Sequence, residues 1–212
     1  MKVGSLSGEY LRLEHAIRDW VARELAPKIH DFDRPPVGAV FDGLKRFGPL
    51  GADAIPLGLL CEELEYVDTS LRVILSDHIA ATIDGGAPDE MRRFTAAAGA
   101  TGLIRASRDA SVKYVSERPA PPQSHQLIAG MESDYQVARA LWLRSAELKN
   151  SGRPCRGEID LACSFAIAAA ARAAGDAVQV HGANGYSNAY PVGRFYRNYR
   201  AVSGRAPFNL PS

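Results

Sequence analysis

The segment that decides the fold is Ala177-Val-Gln-Val-His-Gly-Ala-Asn-Gly-Tyr-Ser-Asn-Ala-Tyr-Pro-Val-Gly-Arg194. Its first part continues a long apolar stretch, and two glycines then bracket Ala183-Asn184. Because glycine has no Cβ, such a turn lets backbone N–H groups come close to a phosphate or to the edge of a ring. Arg194 and Arg197 follow closely and are candidates for meeting an anionic ligand. Glycine, asparagine and tyrosine also fill ordinary turns, so spacing alone leaves both interpretations open.

The turn follows a predicted helix that runs from residue 158 to about residue 181. This helix is rich in alanine, and small side chains allow neighbouring helices to approach closely, as in the middle of a bundle. Pro88 suits the first turn of another long helix, 88–117, where Asp89 and Glu90 complement the helix dipole. A proline-rich linker, 118–123, separates it from a third long helix that ends near residue 150.

Shorter helices are predicted before residue 88, because apolar residues recur there about every 3.6 residues. They are 7–32, 37–47, 57–66, and a fourth that begins at residue 68 or 69 and ends near residue 83. Pro27 falls late in the first of them, so we expect a kink or a restart near Ala26. No run alternates as a half-buried strand does. The chain is therefore predicted to be all-α, with six or so helices packed as a bundle.

The composition is that of a soluble globular protein, with 46% hydrophobic and 23% charged residues and a net charge of +1. This balance lacks the basic excess that nucleic-acid binding requires. The longest apolar run, Leu161–Ala171, is shorter than the roughly 20 residues that span a bilayer, and the N-terminus shows no signal-peptide pattern. We therefore expect a cytoplasmic protein with neither a membrane nor a nucleic-acid partner. Cys61, Cys155 and Cys163 have no paired spacing and are expected to be reduced thiols.

No self-contained catalytic motif is present, and the five histidines are scattered, so no metal site is expected. Three glutamates, Glu62, Glu63 and Glu65, lie on one predicted helix. Glu62 and Glu65 share a face at a spacing of three residues, which is compatible with acid–base chemistry. A solvated helix face is the favoured interpretation of these glutamates.

The C-terminal run resembles a family pattern when its neighbours are included. Gln179-Val-His-Gly-Ala-Asn-Gly-Tyr186, Tyr190-Pro-Val-Gly-Arg194 and Tyr196-Arg-Asn198 are similar to the acyl-CoA dehydrogenase pattern QxxGGxGY…YPVERxYRD. Other stretches agree with that family in the same order over nearly the whole chain. They are Arg23-Glu-Leu-Ala-Pro27, Phe47-Gly-Pro-Leu-Gly51, Cys61-Glu-Glu-Leu-Glu-Tyr-Val-Asp-Thr-Ser70, Tyr114-Val-Ser-Glu-Arg118 and the helix over 131–153.

The resemblance implies a fold and a domain organisation. The family combines an N-terminal helical domain, a middle β-domain and a C-terminal four-helix bundle that builds a tetramer core. Here Ile83-Asp-Gly-Gly86 passes almost directly into Pro88, which leaves no room for the β-domain. The chain is thus expected to be a shortened member, with an N-terminal helical domain (1–86) packed on a C-terminal helical bundle domain (87–212). We also expect it to form a homo-oligomer or to pair with a full-length relative.

The resemblance also implies FAD as the cofactor, contacted by Gln179, Gly182, Gly185 and Arg118. In the family, a glutamate in a YEGT segment removes the α-proton of an acyl thioester while FAD takes the β-hydride. That position falls at about Ala206 here, and no YEGT sequence is present. Some members carry the base early in the first bundle helix. Glu90 is the nearest candidate, about two residues out of register, roughly 200° around a helix.

Two functions therefore stay open. One is an acyl-CoA dehydrogenase-like oxidoreductase that uses FAD on an acyl-CoA or acyl-carrier-protein thioester, alone or completed by a second chain. The other is a non-redox helical protein on the same scaffold, which binds an apolar small molecule or serves as the structural subunit of a hetero-oligomeric dehydrogenase.

Overall fold

The computed structural model describes residues 6–31, 37–47, 53–82 and 88–203. Four α-helices precede residue 88: α1 (Gly8–Trp20), α2 (Val37–Phe47), α3 (Ala54–Val67) and α4 (Thr69–Thr82). Asp53 caps α3 by accepting a hydrogen bond from the backbone N–H of Ile55 at 3.0 Å. Asp68 separates α3 from α4 and accepts a hydrogen bond from the backbone N–H of Ser70 at 2.9 Å. The predicted end of the fourth helix, near residue 83, lies outside the described residues.

The bundle is built from α5 (Pro88–Ser116), α6 (Pro122–Asn150), α7 (Arg156–His181) and α8 (Val192–Ser203). α5, α6 and α7 pack against one another, and α8 packs mainly on α7. The N-terminal helices are attached through α3, which lies against α5 and α6. Across the described part of the chain no residue forms a strand. The predicted all-α fold, with N-terminal helices packed on a bundle, is confirmed.

Two hydrophobic cores lie along the bundle. The first is shared between the N-terminal helices and the bundle, with Leu64 and Trp142 among its buried side chains. The second lies within the bundle and includes Ile104 and Phe195. α7 contributes small buried side chains to it, which lets α5 and α6 approach closely: Ala166, Ala169, Ala170, Ala173 and Ala177. The first core joins residues on both sides of the predicted domain boundary at 86/87, and the boundary itself lies outside the described residues.

The three glutamates of α3 are buried, so the predicted solvated face is wrong. Glu62, Glu63 and Glu65 are only 1–2% exposed. Glu63 accepts hydrogen bonds from Arg105 at 2.9 and 2.6 Å. Glu65 accepts one from Arg72 at 2.6 Å. Charges are buried in proteins only when paired, and these arginines supply the pairing.

The helices differ from the prediction in their number and in several of their boundaries. Among the described residues there are eight α-helices rather than six or so. Around the predicted kink, α1 ends at Trp20, and a π-helical turn (Val21–Leu25) and a 3-10 helix (Ala26–Asp31) follow. Pro27 has no N–H to donate, which is why a regular α-helix does not continue through it. α6 begins at Pro122, earlier than expected, because proline is well suited to a first helical turn.

One segment within the described ranges, Arg156–Tyr186, is long and apolar enough to cross a membrane by length and composition alone. It consists of α7 and the turn that follows it, and 44% of its most apolar window is buried inside the protein. α7 is packed between α5 and α6. We interpret it as the central helix of the bundle, which is apolar because it faces neighbours on several sides.

Candidate functional site

The turn after α7 is built tightly against that helix. Gly182 ends α7 with φ of 55°, a left-handed conformation that favours glycine. A Cβ at Gly185 would lie 2.8 Å from the carbonyl oxygen of Val178. A Cβ at Gly193 would lie 2.9 Å from the carbonyl oxygen of Gly185. The glycines at 185 and 193 therefore let the turn pack on the end of α7 and on the start of α8.

Three rings and a guanidinium from separate elements meet beside this turn. The ring centroids of Tyr114 and His181 are 4.1 Å apart, and both stand edge-on to Tyr190 at 5.5 Å. The Cζ atom of Arg118 lies 4.1 Å from the centroid of Tyr114. Cations over aromatic faces at this distance are attracted by the ring electrons. We call Tyr114, Arg118, His181 and Tyr190 the aromatic cluster.

Hydrogen bonds fix the aromatic cluster to the turn. Arg118 Nη1 donates to the hydroxyl of Tyr190 at 3.1 Å. The Tyr114 hydroxyl accepts from Asn184 Nδ2 at 2.8 Å and donates to the carbonyl oxygen of His181 at 3.2 Å. The end of α5 and the turn after α7 are thus joined by hydrogen bonds between side chains and the turn.

The electrostatics of the aromatic cluster favour a cation at Arg118. The hydrogen bond to Tyr190 raises the pKa of Arg118 further above its usual value. The hydrogen bond from Asn184 is the main cause that lowers the pKa of Tyr114, and the neighbouring Arg118 guanidinium lowers it further. Burial lowers the pKa of His181, and its Nδ1 lies 2.8 Å from the carbonyl oxygen of Ala177, which can only accept. His181 is therefore a neutral ring whose Nδ1 carries the proton, and Arg118 is the positive group.

The four predicted cofactor residues lie at one end of the bundle. Gly182 and Gly185 belong to the turn, Gln179 is exposed on the last turn of α7, and Arg118 joins them through the aromatic cluster. Sequence reasoning missed Tyr114, Asn184 and Tyr190. The spacing of four residues between Tyr114 and Arg118 at the end of a helix was the available signal for the first of them.

Glu90, the weak candidate for a catalytic base, lies at the other end of the bundle. Its Oε1 accepts from Lys149 Nζ at 3.1 Å, and the Cys155 Sγ is 3.9 Å away. From Glu90 to Ser116, α5 rises about 39 Å at about 1.5 Å per residue. Within one chain, Glu90 and Arg118 therefore do not share a site. Burial, with the nearby charge of Glu90, raises the pKa of the Cys155 thiol.

Arg194 is engaged in packing rather than in an open anion site. Its Nη1 donates to the carbonyl oxygen of Val67 at 2.9 Å and to Asp68 Oδ2 at 3.0 Å. Asn198 donates to the same Asp68 oxygen at 3.0 Å. Burial alone raises the pKa of Asp68, but the hydrogen bonds from Ser70 and Asn198 and the charge of Arg194 outweigh it and lower that pKa. These contacts attach α8 to the junction of α3 and α4.

No group of three metal-ligating side chains comes together in residues 6–31, 37–47, 53–82 and 88–203. The three cysteines are free thiols; Cys61 and Cys155 are buried and Cys163 is half-buried. The position that corresponds to the YEGT glutamate, Ala206, lies outside the described residues.

Comparison with known proteins gives a consistent result. Residues 90–203 match the family description "acyl-CoA dehydrogenase, C-terminal domain". The chain is 38% identical over 128 residues to a probable acyl-CoA dehydrogenase of Bacillus subtilis (strain 168), which is 57% of this chain and 32% of that protein. It is 38% identical over 125 residues to the glutaryl-CoA dehydrogenase of Desulfococcus multivorans, which is 54% of this chain and 32% of that protein. The chain spans about a third of the length of the curated relatives it matches.

Solved structures show the same fold. Butyryl-CoA dehydrogenase from Megasphaera elsdenii superposes with a TM-score of 0.82 at 14% identity, covering 95% of each chain. Glutaryl-CoA dehydrogenase from Mycobacterium smegmatis superposes with a TM-score of 0.81 at 17% identity, covering 95% of this chain and 91% of that one.

Proposed function

The chain belongs to the acyl-CoA dehydrogenase family, whose C-terminal domain matches more than half of it, and we propose that it is a divergent, acyl-CoA dehydrogenase-like protein that contributes one side of an FAD site. The observation that carries this proposal is the meeting of Arg118 with the Gly182–Tyr186 turn at one end of the bundle. Those are the residues that the family pattern assigns to the cofactor.

The residues present at this end fit a cofactor that carries phosphates. The Arg118 side chain is 33% exposed. Its Nη1 donates to Tyr190, and its Nη2 lies 3.7 Å from Glu117 Oε2 in an ion pair, so N–H donors of the guanidinium remain for a ligand. Among the described residues, no atom lies within 4 Å of a Cβ built on Gly182, so a ligand can approach the backbone there. FAD, when bound, supplies the hydride acceptor for oxidation of an acyl thioester.

The rest of an FAD site has to come from another chain. In the family, the cofactor lies between the β-domain and the bundle, and the glycine turn comes from a neighbouring subunit. Here only residues 83–87 separate α4 from α5, so no β-domain stands between them. We therefore propose that this chain presents Arg118 and its turn to a cofactor held by a second copy or by a full-length relative.

The proposed ligand is a coenzyme A or acyl-carrier-protein thioester. The relatives are named for dehydrogenation of acyl-CoA and glutaryl-CoA, and one is a 3-(aryl)acrylate reductase of Clostridium sporogenes (strain ATCC 15579), 32% identical over 118 residues, 52% of this chain and 31% of that protein. We propose a cytoplasmic location, because the composition is that of a soluble protein and the cysteines are expected to be reduced.

A non-redox role on the same scaffold is the second candidate function. The position of Glu90, the candidate base, favours this role. Glu90 is paired with Lys149 and lies at the opposite end of the bundle from Arg118. The non-redox role is also favoured by the alanine that stands where the family places its YEGT glutamate.

Flavin titration separates the two candidates. We expect the purified protein, mixed with FAD, to retain visible flavin absorbance through gel filtration. Arg118→Gln should weaken binding about tenfold, because hydrogen bonds to charged groups contribute about 1.5–3 kcal/mol. Arg144→Gln is the matched control, since Arg144 is an exposed arginine on α6 paired only with Glu147 among the described residues. A protein that takes up no FAD would remove flavin binding by copies of this chain alone, and would leave a cofactor held by a full-length relative or the non-redox role.

A further inference from the structure

Arg118 is held between two tyrosines that come from different parts of the chain. It lies in the turn after α5, with its Cζ 4.1 Å from the ring centroid of Tyr114 and 5.7 Å from that of Tyr190. Tyr190 also accepts a hydrogen bond from its Nη1 at 3.1 Å. One face of the guanidinium is therefore stacked and one edge is bonded.

Tyr114 connects this arginine to the glycine turn. Its hydroxyl lies between Asn184, which donates at 2.8 Å, and the carbonyl oxygen of His181, which accepts at 3.2 Å. The same ring stacks on His181 at 4.1 Å. A shift of the turn relative to α5 would break these contacts together, so the positions of Arg118 and of the turn are coupled.

We propose that Tyr114 and Tyr190 are positioning residues that hold Arg118 in place to bind a phosphate group of the ligand. An arginine already held by its neighbours loses less rotamer freedom when it binds, which increases affinity. This proposal depends on the proposed FAD site only where it takes the bound phosphate to be part of FAD. The geometry itself requires an anion with oxygens that match a planar guanidinium, as phosphate does.

The test uses inorganic pyrophosphate as the probe, so that it does not depend on flavin binding. The Nε–H resonance of Arg118 is followed by NMR during titration at low salt, with assignment from Arg118→Gln. Tyr190→Phe keeps the ring and removes one bond to the guanidinium, and we expect about tenfold weaker binding. Tyr114→Phe keeps the stack but releases the turn, and a loss of about threefold to tenfold is expected on the same basis. Tyr196→Phe removes an exposed hydroxyl on α8 and is the matched control.

A merely structural role predicts a different pattern. The tyrosine substitutions would then lower the unfolding midpoint and leave the pyrophosphate affinity of the folded protein unchanged, which overturns the proposal. In the Arg118→Gln background, which lacks the Nε–H resonance, pyrophosphate binding is measured by calorimetry. There Tyr190→Phe should cause no further loss of affinity, because it acts only through Arg118. An additional loss in that background would contradict the assignment. Wild-type protein in which pyrophosphate does not move the Arg118 resonance also overturns it.

The same samples separate this inference from the proposed function. Pyrophosphate binding that is weakened by both substitutions, in a protein that takes up no FAD, supports the positioning role and removes flavin binding by copies of this chain alone. FAD uptake that neither tyrosine substitution weakens supports the flavin and overturns the positioning role.

Discussion

Glu63 is a carboxylate enclosed by arginines from two other helices. Its side chain is 3% exposed. Arg105 on α5 approaches both of its oxygens, at 2.9 and 2.6 Å, and Arg18 on α1 donates to Oε1 at 3.1 and 3.0 Å. Burying charges costs solvation free energy that such contacts only offset. Removing either the carboxylate or an arginine would therefore leave a buried charge with fewer compensating contacts.

Removing the charge of Glu63 should destabilise the fold strongly. Glu63→Gln leaves Arg105 buried with only its longer contact to Glu62 Oε1 at 3.4 Å, and we expect the free energy of unfolding to fall by about 3 kcal/mol. Glu132→Gln is the control, because Glu132 pairs with Arg108 but is 44% exposed, and exposed pairs contribute about 1 kcal/mol or less. Urea unfolding followed by circular dichroism measures both. A loss at Glu63 no larger than at Glu132 would show that the buried pair is not stabilising.

Single residues were also where sequence reasoning failed. Three glutamates within four positions on one helix resemble a solvated face, and only the tertiary structure brings Arg105 and Arg139 to them. The glycine turn was predictable, because the left-handed conformation at Gly182 needs glycine. The contact of Tyr190 with Arg118 could not be predicted from the sequence. The two residues are 72 positions apart, and they meet only because α5 and α7 end side by side.

At the scale of elements, α3 and α5 pack with their backbones in contact. A Cβ at Gly102 on α5 would lie only 2.0 Å from the carbonyl oxygen of Glu62 on α3. Nearby, a Cβ at Gly58 on α3 would lie 2.4 Å from the ring of Trp142 on α6. Two glycines thus set the spacing of the contact that attaches the N-terminal helices to the bundle.

Gly102→Ala should force α3 away from α5. Because the clash is with backbone and cannot be relieved by a rotamer change, we expect a loss of about 3 kcal/mol, at the upper end for overpacked cores. Gly130→Ala is the matched control on α6, where no atom of the described part of the chain lies within 4 Å of the added Cβ. There alanine should stabilise the helix by about 1 kcal/mol. Thermal unfolding of the two variants should therefore shift in opposite directions, and a shift in the same direction would contradict this packing.

The long elements were predictable for local reasons. Pro88, followed by Asp89 and Glu90, marks the start of α5. The helix runs to Ser116, one residue before its predicted end. The bounds of α2 agree with the prediction. The π-helical turn after α1 was predicted only as a kink, because proline shows where hydrogen bonding fails but not which irregular turn replaces it.

At the scale of the whole molecule, α6 and α7 leave an apolar surface exposed. Leu161 on α7 is 57% exposed and Val137 on α6 is 45% exposed. The ion pair of Asp134 with Arg172 at 3.0 Å shows that these faces lie side by side. The resemblance described above predicts that the bundle assembles with further chains, and these two side chains would be covered in such an assembly. The distance between Glu90 and Arg118 within one chain also requires a second chain, if the two ends are to serve one site.

We therefore expect the protein to associate through the α6–α7 face. Light scattering after gel filtration should give at least twice the chain mass of 22.9 kDa. Leu161→Glu places a charge in that surface and should shift the mass to that of one chain, because a charge in an apolar interface is costly to bury. Leu11→Glu is the matched control, since Leu11 is a 44% exposed leucine on α1 rather than on α6 or α7. A wild-type protein with the mass of one chain, or equal effects of the two substitutions, would contradict association through this face. FAD uptake that is lost together with the assembly in Leu161→Glu would show that the cofactor site needs more than one chain.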